Sequence, residues 1–394
     1  PDSTGEKTAS LLAFIIISFV SAAVLVRRDV SRVMALLLAS FGILGGFTLL
    51  SIIVARWGGA LPAWLNVNPI GTVNALAWVL AIGFFMSLGL ALTLVGRGRG
   101  AGWLVILISA ILFTSLILIG FRNTWMGVVA AIITLIALAF TKSWEGREPA
   151  EHPGFGWGVL FIAFIVLASS LFLVFKPTPF AASIYQPPLE VSPSLGATLD
   201  IGRKVLAEEP WLGTGPGVFR LAYNRFRDPA LNATVFWAAR FNHGYSLLAT
   251  LPATIGILGT AAFLAVVILA VFLMVRAVWR SQDSDPLLWG AGGAMFLAIL
   301  MWFLYAGNFT ASFLLFLFLG MLGALVSGHP AGTAPPALAE VVEPSGGFGI
   351  KILHRLRPSG EVYRRSFELH APALNFMTSL SAVFAAAFSL VAGW

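Results

Sequence analysis

The chain has 394 residues, 58% of them apolar and only 10% charged, with 24 Lys+Arg against 17 Asp+Glu for a net charge of +7. A soluble domain carries about a quarter charged residues, so a mean hydropathy of +0.91 excludes a soluble globular protein, a disordered chain and a disulfide-rich secreted module. Zero cysteines exclude structural disulfides, thiolate metal sites and cysteine nucleophiles. What remains is a polytopic membrane protein, and its long apolar blocks favour helices over the ~10-residue alternating strands of a barrel.

The chain opens on Pro1 rather than methionine, as expected of a processed product or a fragment. Residues 8–26 form the first apolar block. Its basic residues, Arg27, Arg28 and Arg32, follow it instead of preceding it, which points to a membrane anchor and not a signal peptide. Further blocks of spanning length fall at 33–55, 73–95, 102–120, 126–141, 156–175, 257–278, 287–306, 309–326 and 372–393, giving about ten spans. The fifth is the shortest and is expected to begin before Trp125.

Charge placement sets the orientation. Arg27, Arg28 and Arg32 follow the first span, Arg97 and Arg99 the third, Lys142 and Arg147 the fifth, and Arg276 and Arg280 the seventh. Lys351, Arg355, Arg357, Arg364 and Arg365 follow the ninth, while the even-numbered exits are nearly bare. The positive-inside rule then places the basic loops in the cytoplasm and Pro1 outside. The net charge of +7 therefore reflects cytoplasmic loops, not a nucleic-acid partner.

Three parts follow: a transmembrane unit over 1–327, a cytoplasmic Pro/Ala/Gly and basic linker over 328–370, and an additional transmembrane helix over 371–394. Residues 177–243 form a large external loop, too long for a simple connector. Within it, Ser192-Pro193-Ser194 offers a helix start, with the serine as cap and the proline in the first turn. Leu195, Leu199, Gly202 and Leu206 recur at helical spacing, with Thr198 and Val205 beside them. This pattern predicts a short amphipathic helix at the membrane surface, ending at Glu209-Pro210.

Trp211-Leu212-Gly213-Thr214-Gly215-Pro216-Gly217-Val218-Phe219 follows no strand and lacks the lysine of a phosphate-binding loop. It reads as a tight turn with positive-φ glycines. The loop ends at Arg240-Phe241-Asn242-His243-Gly244-Tyr245, before an apolar stretch containing Thr254-Ile255-Gly256-Ile257-Leu258-Gly259.

This order of motifs resembles the O-antigen ligase and O-antigen polymerase family of membrane glycosyltransferases over residues 8–327. The family pattern is an amphipathic stretch, a Pro-Leu-Leu-Gly-x-Gly-x-x-x-Phe segment, a His-Asn near the next span and a closing Gly-(Leu/Ile)-(Leu/Ile)-Gly. Here these correspond to 210–219, 242–245 and 254–259. Phe121-Arg122-Asn123-Thr124-Trp125 matches the place where family members often carry Ser-Arg, with the arginine kept and the serine absent. Asn242 and His243 stand in transposed order, and Leu195 and Leu199 replace the arginine and tryptophan often found at the start of the amphipathic stretch.

The resemblance implies an all-α, GT-C-like bundle in the bacterial cytoplasmic membrane that moves a glycan from a polyprenyl pyrophosphate to an acceptor hydroxyl on the external face. The donor would be an undecaprenyl-type lipid-linked glycan and the acceptor a glycan, lipid or protein. It implies no cofactor and no metal, a base at His243 oriented by Asn242, and pyrophosphate contacts from Arg122, with Arg240 or Arg220 as the second arginine. Each position has a plainer reading: His243 as an interfacial histidine bonding a backbone carbonyl, Arg122 as a snorkelling arginine. Arg220, Arg225 and Arg227 read as a solvated face, since six basic residues in the loop meet five acidic ones for a net +1. A polytopic transporter or flippase-like carrier is the alternative class, against which stand uncharged span interiors and no repeat. An inactive relative of the ligase family is a further alternative.

Overall fold

The computed structural model describes residues 2–25, 27–56, 68–95, 101–144, 157–175, 190–280 and 286–326. All regular structure among them is helical. The helices are α1 (Asp2–Val24), α2 (Arg27–Arg56), α3 (Val73–Val95), α4 (Ala101–Ile119), α5 (Arg122–Trp144), α6 (Trp157–Phe175), α7 (Leu195–Glu208), α8 (Phe219–Phe226), α9 (Leu247–Arg280), α10 (Pro286–Leu304) and α11 (Phe309–Val326). A 3-10 turn covers Pro229–Ala233. The first nine apolar blocks of the sequence lie on these helices; the tenth block and the linker before it fall outside the described residues.

By length and composition six helices among the described residues can cross a membrane: Arg28–Ala55, Val73–Ala91, Gly102–Ile119, Leu247–Trp279, Leu287–Leu304 and Phe309–Val326. This is the make-up of a multi-pass helical membrane protein. Shorter apolar stretches lie at Leu12–Val24 and Phe164–Phe175. The fifth block does begin before Trp125, at Arg122.

The core is built around α3 and α10. Neither carries a charged residue within its span, so every side of each suits a protein core or lipid. Trp78, Leu80, Ile82, Phe85 and Met86 on α3 and Met295, Leu297 and Met301 on α10 are buried accordingly. The two helices touch at glycine: a Cβ on Gly89 would sit 2.7 Å from the Gly290 Cα, so only small residues allow that crossing. Around this pair pack α4, α5, α9 and α11, with α1 laid against α11 and α6 against α5.

Local differences from expectation fall in the 190–246 segment. The cap of α7 is Ser194, whose Oγ accepts from the Ala197 N–H at 3.1 Å, and helical residues start at Leu195; Ser192 and Pro193 precede the helix. The buried face is Thr198, Ile201, Gly202 and Val205, about one residue around from the leucine stripe. Leu195 and Leu199 remain 46% and 43% exposed. Gly202 meets Pro252 of α9 at ordinary van der Waals distance, and Thr198 packs tightly against Gly244. The helix ends at Glu208, with Glu209 as its C-cap.

The seventh block also starts earlier than its hydropathy indicates. Helical residues begin at Leu247, and the run is broken once, at Gly256 with φ 64° and ψ −167°. That backbone region is essentially open only to glycine.

Candidate functional site

Two glycine motifs interlock beside this break. In the 210–219 turn, Gly213, Gly215 and Gly217 all have positive φ, as the turn reading requires. The amides of Thr214 and Gly215 donate to the carbonyls of Ala253 and Thr254 at 3.0 and 2.8 Å. In return the amides of Ile257 and Leu258 donate to the carbonyls of Pro210 and Trp211 at 2.9 and 3.3 Å. These backbone groups are those freed where the helix is interrupted at Gly256, and the turn satisfies them. The Thr214 and Gly215 amides are thus engaged by helix carbonyls.

The same segment, with Ala253 of α9, carries a small apolar cluster of its own. Ile201 and Val205 of α7, Phe219, Ala222 and Tyr223 of α8 and Ala253 of α9 are buried together, and Phe241 meets Tyr223 edge-to-face at 5.1 Å. Phe241 thereby anchors the strand of chain that leads into Asn242 and His243. That chain is then held residue by residue. The Gly244 N–H donates to Thr250 Oγ1 at 3.0 Å, and the Tyr245 N–H donates to Thr198 Oγ1 on α7 at 2.9 Å. Gly244 is buried against Thr198 so closely that a Cβ has no room.

Arg122 opens α5, directly after the two-residue link Gly120-Phe121. Its neighbour Asn123 joins the motifs: Nδ2 donates to Tyr245 Oη at 3.1 Å and to the Leu304 carbonyl at 2.9 Å. The 121–125 and 242–245 motifs, over a hundred residues apart in sequence, therefore meet at one end of the bundle. His243 is half-buried, with Nδ1 3.0 Å from the Gly244 carbonyl oxygen. A carbonyl only accepts, so Nδ1 carries the proton and Nε2 keeps its lone pair free in the neutral ring. That bond belongs both to an interfacial histidine and to a histidine held in the tautomer a base requires.

Arg122, Arg240 and Asn242 are exposed and have no hydrogen-bond or ion-pair partner among the described residues. Arg240 lies three residues before His243. Arg220 points to solvent from α8, and no contact among the described residues brings it to the junction. Two other arginines of the segment have structural partners. Arg225 pairs with Glu208 at 2.8 Å, and Arg227 donates to the Trp237 carbonyl and Asn232 Oδ1 at 2.9 and 2.8 Å.

A second polar knot adjoins the junction. Tyr305, just past the end of α10, donates from its hydroxyl to Glu190 Oε1 at 2.6 Å and lies 2.9 Å from Thr72 Oγ1. Its ring meets Phe121 edge-on at 5.7 Å, and its carbonyl accepts from the Leu247 N–H at 3.0 Å. Asn308 Nδ2 donates to the Ile70 carbonyl at 3.2 Å. These bonds bring the starts of α3, α5, α9 and α11 to the end of α10. Burial, then the adjacent Glu190 carboxylate, push the Tyr305 phenol above its ordinary value, while Thr72 opposes them. The phenol stays protonated and remains the donor.

Sequence reading alone missed this knot. Tyr305 falls inside an apolar block, and Glu190 counts only as one acid among five. The available signal was the polar break Gly307-Asn308 between two apolar spans. No family model matches the chain, and no curated protein matches it.

Proposed function

We propose that the chain is a membrane glycosyltransferase of the O-antigen ligase and polymerase type, with ten spans, a GT-C-like bundle and its large loop on the external face of the bacterial cytoplasmic membrane. The supporting observation is the Asn123–Tyr245 hydrogen bond, which brings the Arg122 motif against the His243 motif. In this reading a glycan on an undecaprenyl-type pyrophosphate enters at the junction. Arg122, without a partner among the described residues and at the start of a helix, binds the pyrophosphate and offsets the charge that develops as it leaves. Arg240 supplies the second phosphate contact; Arg220, away from the junction, is the weaker candidate for it. The Nε2 of His243 takes the proton of the acceptor hydroxyl as that oxygen attacks the anomeric carbon. Asn242 orients the acceptor.

Purified protein in nanodiscs tests the roles directly. His243→Ala and Arg122→Ala are each expected to lower transfer from a polyprenyl-pyrophosphate glycan by about a hundredfold or more. Full activity in both variants would overturn the site assignment.

A further inference from the structure

The stretch between Asp228 and Arg240 carries no charged residue and ends on the apolar run Val235-Phe236-Trp237-Ala238-Ala239. Val235, Phe236 and Trp237 are nevertheless 87%, 41% and 64% exposed. Successive tight turns present them. The Leu231, Thr234, Trp237 and Ala239 amides donate to the carbonyls of Asp228, Leu231, Thr234 and Phe236 at 2.9–3.1 Å. The Ala230 and Phe236 amides donate to Asp228 Oδ1 and Thr234 Oγ1, and Arg227 donates to the Trp237 carbonyl. Val235 and Phe236 stand at the corners of the turn that Thr234 and Trp237 close. A backbone bonded largely to itself lowers the cost of leaving water.

The base of this tip is fixed beside a spanning helix. Leu231 and Phe241, one on each side of the apolar run, pack on the cluster that includes Ala253 of α9. The apolar helix Leu247–Trp279 has 33 residues, where about 20 cross the hydrocarbon core; centred on it, that stretch begins near Ala253. The tip is therefore tethered at the level where lipid headgroups meet acyl chains. Exposed apolar surface continues from there along the bundle: Ile257 and Leu258 of α9 are exposed, and so is Trp211, whose carbonyl accepts from the Leu258 N–H. We propose that the 229–239 tip is a membrane anchor, with Val235, Phe236 and Trp237 inserted at the headgroup–acyl boundary of the bilayer that the helices cross. Aromatic rings favour that boundary, tryptophan above all, because it offers an apolar body and a polar edge. Thr234, at the base of the turn with its hydroxyl bonded to the Leu231 carbonyl, stays at the hydrated headgroup level. Because Phe241 leads directly into Asn242 and His243, the anchor sets the height of the 242–245 chain against the membrane. The inference needs the membrane-spanning bundle but not the transferase reading.

Spin labelling of the full chain in nanodiscs of phosphatidylethanolamine and phosphatidylglycerol tests the anchor. Val235→Cys, in a chain with no other cysteine, carries a nitroxide at the corner of the turn. Power-saturation EPR compares collisions of the label with oxygen, which concentrates among acyl chains, and with a water-soluble nickel chelate. Ile268→Cys, exposed midway along α9, is the lipid-facing reference. Oxygen collisions are expected to exceed nickel collisions at Val235, as at Ile268 but by a smaller ratio. Phe236→Ser together with Trp237→Ser, both at exposed positions, is expected to reverse the ratio at the label. Nickel exceeding oxygen at Val235 would place the tip in water and overturn the anchor. Exclusion of both reagents overturns it as well, because protein would then cover the tip, and dipolar broadening between labels would identify a second copy. A ratio unchanged by the double substitution would show that the aromatic pair does not hold the tip and likewise overturns it.

Discussion

The proposed chemistry depends on how single side chains use their two ends. His243 gives Nδ1 to its neighbour's carbonyl and keeps Nε2; Asn123 spends its amide on Tyr245 and Leu304; Tyr305 donates to Glu190. A double-mutant cycle of Asn123→Ala and Tyr245→Phe, read by thermal unfolding in detergent, is expected to give a coupling of roughly 0.5–1.5 kcal/mol, that of one net hydrogen bond. Coupling near zero would mean that the bond joining the two motifs contributes nothing to holding them together. The arginine reading was partly legible in the sequence. The near-neutral loop argued against a broad anion-binding rim, and Arg225 and Arg227 indeed have protein partners. Which arginines are left unpaired was not legible, because Arg225 and Arg227 find partners in Glu208, Asn232 and a backbone carbonyl.

Among the elements, the interrupted α9 is the one whose geometry follows from a single residue. Gly256 has a backbone conformation that only glycine adopts readily, and a Cβ there would fall on the Trp211 carbonyl. Gly256→Ala is expected to destabilise the protein by about 1–3 kcal/mol. Gly46→Ala, in an open position on α2 with no atom near the added methyl, is expected to stabilise it by about 0.5–1 kcal/mol. Thermal unfolding checks both, and equal shifts would show that the break is not a constraint of the fold. The helices themselves were legible because their apolar runs are long. The amphipathic helix was legible in position but not in rotation: its leucines suggested one face, while Thr198, Ile201, Gly202 and Val205 are the residues buried, Thr198 tightly against Gly244. Hydropathy could not place the break at Gly256 either, since the residues on both sides are equally apolar.

For the whole molecule, the positive-inside rule predicts an orientation from the distribution of charge. Because the chain has no cysteine, single cysteines report sidedness without background. Thr234→Cys, at an exposed position of the 190–246 segment, is expected to react with a membrane-impermeant maleimide in intact cells, and Lys142→Cys only after permeabilisation. The opposite pattern would invert the topology and put the junction in the cytoplasm. The central claim is glycan transfer at that junction, and reconstitution tests it most directly. Proteoliposomes carrying a labelled polyprenyl-pyrophosphate glycan are incubated with candidate acceptors. The account predicts a glycan-bearing acceptor and an equal amount of free polyprenyl pyrophosphate, both lost in His243→Ala. Movement of the lipid-linked glycan across the bilayer with no transfer product would contradict it and identify a carrier instead.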